Sequence, residues 1–174
     1  MRTLKMTLLL TTFLLVIPFM SNAQESTVTL EFENTETASE VVQNYVNALQ
    51  NGDVPSMNSQ LANNAMIYGL GGGLDSLNVS QHNKYYTDST TEYEHSISQA
   101  LYLPVKVTNN WNEGEWVLAW GTNTITNKKT GKSTIVPYHT ANLVENGKIT
   151  SSRYFYDMLN IIENQGFTIT PPSE

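Results

Sequence analysis

The chain predicts an α+β domain in which two short helices precede a run of long antiparallel strands. Three observations carry this. Apolar residues recur at helical spacing at Ala38, Val41, Val42, Tyr45 and Leu49. From His95 onward the pattern changes to strand alternation. Turn residues then punctuate the second half at Glu113-Gly114, Lys128 to Gly131 and Glu145-Asn146-Gly147. A two-residue hairpin at Glu113-Gly114 sets Trp111 opposite Trp116 and Val107 opposite Trp120, which puts Leu101, Leu103, Val105, Val107 and Trp111 on the face of Trp116, Leu118 and Trp120.

The elements follow in order. Arg2 and Lys5, an apolar core from Leu8 to Met20 and the small residues Ser21-Asn22-Ala23 have the layout of a signal peptide spanning 1–23. A retained anchor is the alternative, but the apolar stretch is short for a membrane span, and no stable anchor is expected after cleavage. Residues 24–36 are polar and acidic; Val28, Leu30 and Phe32 alternate briefly, and the segment reads as a leader rather than a short edge strand. Thr37 to Glu40 has the form of a capping box for the first helix, which Gly52 closes. Asp53 caps a second helix that tolerates Pro55 in its first turn. Ala65 to Leu70 reads as a strand. Gly71-Gly72-Gly73 lacks a nearby basic residue and reads as a connection, not a phosphate cradle. A helix is expected over about 76–91, then strands over 133–144 and 148–156, a closing helix over 157–166 and a loose tail over 168–174.

Composition narrows the function. Without Arg2 and Lys5, seven basic residues face 16 acidic ones, a net charge of −9. Such a surface argues against nucleic acid as a partner. There is no cysteine, so an exported chain of this length must be held by its core alone. The signal type predicts a secreted or periplasmic protein. Neither metal spacing nor a nucleophile motif surrounds His82, His95, Ser80, Ser151 or Ser152; no metal and no cofactor are expected, and His82 and His95 read as solvated.

The order of elements, the Gly147-Lys148-Ile149 turn and the ending Asp157-x-Leu159-x-Ile161-Ile162-x-x-x-Gly166 resemble the NTF2-like superfamily, and within it the SnoaL-like branch. The resemblance covers about residues 37–167. It implies a cone, a curved antiparallel sheet wrapped around the N-terminal helices with a pocket inside. In SnoaL-like cyclases an Asp near the exit of the last strand is the general acid/base, helped by a His or Gln. Asp157 stands at the matching place and His139 is a possible counterpart of the His. Arg153 departs from the aromatic or apolar residue usual there. Members often pair through the outer face of the sheet, so a homodimer is a further expectation.

Whether these residues converge depends on register. A two-residue Asn146-Gly147 turn sets Thr140 against Arg153, whereas a three-residue loop with a bulge at Gly147 sets His139 against Arg153. The second keeps Ile149 and Phe155 on the face of Trp116 and Trp120, and is preferred. His139, Arg153 and Asp157 would then line a concave face with Trp116, Trp120 and Phe155, and Tyr45 and Tyr68 would add to its wall. The resulting expectation is an exported domain that binds a small apolar or amphipathic molecule. The alternatives are a lyase or isomerase using Asp157, assisted by His139 and Arg153, and a non-catalytic dimerisation or interaction module. A plainer reading of Asp157 is a helix cap.

Overall fold

The structure is a computed structural model and describes residues 27–71 and 75–170. The expected signal peptide, Gly72-Gly73 and the Pro171-Pro172 tail lie outside the described residues. The order is β1 (Thr27–Thr29), α1 (Thr35–Gln50), α2 (Val54–Ser59), β2 (Leu61–Tyr68), β3 (Ser76–Asn78), α3 (Val79–Glu92), β4 (Tyr93–Thr108), β5 (Gly114–Asn127), β6 (Ser133–Glu145), β7 (Lys148–Tyr156) and α4 (Met158–Asn164).

The apolar stripe of α1 is buried along its length, from Ala38 to Leu49. The helix begins at Thr35, so Thr37 falls inside its first turn and no side chain caps it. Asp53 does cap α2, accepting from the Ser56 amide at 3.0 Å. A capping box forms instead on α3. Asn78 Oδ1 accepts from the Gln81 amide at 3.0 Å, and Gln81 Oε1 accepts from the Asn78 amide at 2.9 Å. Val28 lies in β1, which pairs along the edge of β4.

The strands form one sheet in the order β1-β4-β5-β6-β7-β2-β3. This corrects the expected cone of antiparallel strands. The sheet is mixed, because β2 runs parallel to β7. It is open and not strongly curled: three-residue strands end it on both sides and do not pair with each other. The helices therefore lie against the sheet instead of being enclosed by it. Parallel β2 follows from the chain path, since α2 delivers Leu61 beside Ile149 at the start of β7.

Two registers decide which side chains meet the helices. Across β4 and β5, Val105 pairs with Trp116, Leu103 with Leu118 and Leu101 with Trp120. The connecting loop is longer than a Glu113-Gly114 hairpin, and it leaves Trp111 in the loop with 89% of its surface exposed. The shift is even, so the expected grouping of Leu101, Leu103, Val105 and Val107 with Trp116, Leu118 and Trp120 survives.

Across β6 and β7 the two-residue turn forms, but neither expected pairing of Arg153 does. Asn146 and Gly147, with φ of 52° and 68°, make a two-residue turn that pairs Glu145 with Lys148 and Val144 with Ile149. Thr150 is then extra, and Leu143 pairs with Ser151, Ala141 with Arg153 and His139 with Phe155. A bulge inverts the alternation of everything beyond it. Ile149 is thus fully buried toward the helices, while Phe155 points to the other face and is 55% exposed. The core packs α1 and α2 onto Val117, Ala119, Val144 and Ile149. These alternate with Trp116, Leu118 and Trp120, which lie on the outer face.

Candidate functional site

On the helix side of the sheet lies a cavity of about 550 Å³. Helix α1 supplies Val42, Tyr45 and Leu49, α3 supplies Tyr86 and Ser89, and α4 closes one side with Met158 and Ile161. The floor comes from inward positions of β6 and β7: Val136, Tyr138, Thr140 and Asn142, with Tyr154 and Tyr156. Seven of the nine tyrosines line it, so phenol rings rather than indoles form its wall. Among the described residues no carboxylate does.

Two polar clusters reach the cavity. In the first, Tyr45 Oη lies 2.7 Å from His82 Nε2 and 2.7 Å from Tyr154 Oη. His82 Nδ1 is 2.9 Å from Asn58 Oδ1, and Tyr86 Oη donates to Tyr154 Oη across 3.5 Å. His82 is fully buried, and desolvation lowers its pKa from 6.5 to about 4, which makes it neutral at pH 7. Burial pushes the Tyr45, Tyr86 and Tyr154 phenols well above their ordinary value, and lifts Tyr138 to about 12. All four remain protonated donors at neutral pH.

The second cluster joins Ser89, His95 and Asn123. His95 Nε2 is 3.0 Å from Ser89 Oγ, and His95 Nδ1 is 3.1 Å from Asn123 Nδ2. The amide nitrogen can only donate, so Nδ1 accepts and Nε2 carries the hydrogen that goes to Ser89. In that state His95 cannot take the Ser89 proton, and the order Ser-His-Asn does not activate a nucleophile. Burial is the main cause of a lowered His95 pKa.

The candidate residues from the sequence divide. Tyr45 lines the cavity. His139, Arg153, Trp116, Trp120 and Phe155 share a face, but it is the outer one. There the His139 ring sits between Trp120 and Phe155, with centroids at 4.7 and 5.7 Å. Arg153 is exposed and lies over Tyr68, 5.2 Å from its centroid. Trp116 donates Nε1–H to the Asn112 carbonyl at 2.9 Å. Asp157 is exposed and caps α4, accepting from the Asn160 amide at 3.0 Å. The sequence reading missed His82, Tyr86, Tyr138, Asn142 and Tyr154, and took His82 and His95 for solvated residues. The available signal was spacing: His82 and Tyr86 are four apart on α3, and Tyr138, Thr140 and Asn142 alternate on β6.

No family model and no curated protein sequence matches the chain. Solved structures do. A proposed isomerase from Bacillus subtilis is 16% identical with a TM-score of 0.63, covering 78% of this chain and 96% of that one. A proposed polyketide cyclase from Xanthomonas campestris pv. campestris is 18% identical with a TM-score of 0.63, covering 76% and 98%. An NTF2-like protein from Burkholderia xenovorans LB400 is 18% identical with a TM-score of 0.56, covering 74% and 95%. At these identities the likeness establishes the fold. It is an NTF2-like α+β fold. Among the described residues no helix is long and apolar enough to cross a membrane.

Proposed function

We propose that this is an exported protein that binds a small apolar or amphipathic molecule in the helix-side cavity. The observation that carries the reading is a tyrosine-walled space of about 550 Å³ with no carboxylate among its described lining residues. Apolar walls with a few convergent polar groups are the usual make-up of such sites. Native mass spectrometry of protein purified from its source tests this. A retained mass lost on denaturation is the expected result. A bare chain that takes up no apolar probe at millimolar concentration would overturn the reading.

A lyase or isomerase using Asp157 is the weaker reading, because Asp157 is exposed and committed to capping α4. Once a ligand is known, unchanged turnover in Asp157→Asn would exclude an acid/base role.

A specific observation favours a homodimer in addition. Leu101, Trp120, Ile135 and Phe155 are each at least 36% exposed on the outer face of the sheet. Large contiguous apolar patches on a folded surface mark interaction sites. The mass of the native protein in the same experiment reports whether this face is covered by a second copy.

A further inference from the structure

The polar end of the cavity has a fixed hydrogen-bond direction, and one amide sets it. Asn58 Nδ2 donates to the Val54 carbonyl at 2.9 Å, so Oδ1 is the atom turned toward His82. An amide oxygen only accepts, and His82 therefore carries its hydrogen on Nδ1. That leaves Nε2 as an acceptor, and the Tyr45 proton goes to it across 2.7 Å. With the Tyr45 proton committed, the 2.7 Å bond between Tyr45 and Tyr154 must be donated by Tyr154. The protons of Tyr154 and Tyr45 both point away from the cavity toward His82. Such a chain polarises each oxygen in turn and makes the last one a better acceptor.

The end of the chain is incompletely satisfied. Among the described residues Tyr154 Oη receives only the Tyr86 hydroxyl, at 3.5 Å, which is the outer limit of a hydrogen bond. Tyr86 and Tyr154 both line the cavity, as does Tyr138, whose buried hydroxyl has no partner among the described residues.

We infer that the cavity recognises a hydroxyl group on an apolar skeleton, one that donates to Tyr154 Oη while accepting from Tyr86 or Tyr138. This rests on the cavity being a ligand site. It selects alcohols and phenols over ketones and ethers of the same skeleton. A ketone can accept from Tyr86 or Tyr138, but it leaves the Tyr154 oxygen unfilled. Among the described residues the cluster itself holds no cation, although Lys132 lines the same cavity.

Indan-1-ol, indan-1-one and 1-methoxyindane share a skeleton and differ only in this group. Calorimetric titration of the wild-type chain should give roughly five- to tenfold tighter binding of the alcohol than of the other two, the worth of one buried hydrogen bond. In Tyr154→Phe that preference should vanish while the ether binds as before. Equal binding of all three by the wild type, or a preference for the ketone, would overturn the inference and leave the cavity reading intact. Failure of all three to bind would remove both. Nitrogen-15 NMR of the wild type gives a second test that needs no variant to fold. His82 should show a protonated Nδ1 and an acceptor Nε2, and the opposite tautomer would reverse the chain and overturn the inference.

Discussion

Acid should weaken this fold through His82 in particular. The ring is fully buried, with Asn58 on one nitrogen and Tyr45 on the other. A second proton on Nε2 would displace the Tyr45 hydroxyl and leave an imidazolium bonded only to neutral groups. Burial holds the pKa at about 4 in the folded chain against 6.5 when unfolded. The neutral ring's contribution is therefore complete above pH 6.5 and is lost as pH falls through 4. A shift of that size corresponds to about 3 kcal/mol at 1.36 kcal/mol per unit. Urea unfolding of the wild type and of His82→Gln at pH 7, 5.5 and 4.5 isolates it. Other groups titrate in both proteins, so the stability gap between them should narrow by about 3 kcal/mol toward pH 4. A gap that stays constant with pH would refute the argument. So would a wild-type His82 ring whose NMR shifts titrate near 6.5, a measurement that stands even if the variant does not fold.

Three further outcomes are expected. Asn142 is buried on the cavity floor; it donates to the Val117 carbonyl and Thr140 Oγ1 and accepts from Ser152 Oγ. Asn142→Ala should cost about 2–4 kcal/mol in urea unfolding, since the bonded partners would be stranded. Gly121 faces Tyr138 across the strands, and a Cβ there would lie 2.8 Å from the phenol oxygen. Gly121→Ala should push that ring aside, lowering stability by about 1–3 kcal/mol and weakening indan-1-ol binding in the same titration. Asp157→Ala should cost about 1 kcal/mol as a lost helix cap, seen as a lower urea midpoint. Because α4 covers one side of the cavity, it should also speed ligand release in stopped-flow measurements.

The fold was more legible in the sequence than the site. Helix α1, α2 with its Asp53 cap, and the β7 boundaries could be read locally, because caps and periodicity lie within a few residues of what they control. The sorting of Leu101 to Val107 with Trp116 to Trp120 was legible too, since a six-residue difference in register leaves alternation unchanged. The cone was not. Whether a sheet closes depends on how far its edges lie apart, and short strands such as Thr27–Thr29 and Ser76–Asn78 carry little signal. Parallel pairing of β2 with β7 joins residues more than eighty apart in sequence, and local alternation says nothing of it.

The site failed on which face of the sheet the helices cover. In the sequence, large apolar side chains point to the interior, which groups Trp116, Trp120 and Phe155 as pocket walls. The helices instead cover the small and polar alternates: Val117, Ala119, Thr140, Asn142 and Ser152. Close helix packing favours small residues on that face, and a cavity needs space that indoles would fill. The bulge at Thr150 then fixes the outcome on β7. Without it, Tyr154 would share the outer face with Trp120, and the chain from Tyr86 to Asn58 would lack its link. With it, Arg153 and Phe155 go outward, Tyr154 reaches Tyr45, and the polar end of the cavity is assembled from three helices and one strand. The residue that decides the chemistry of this pocket thus takes no part in it.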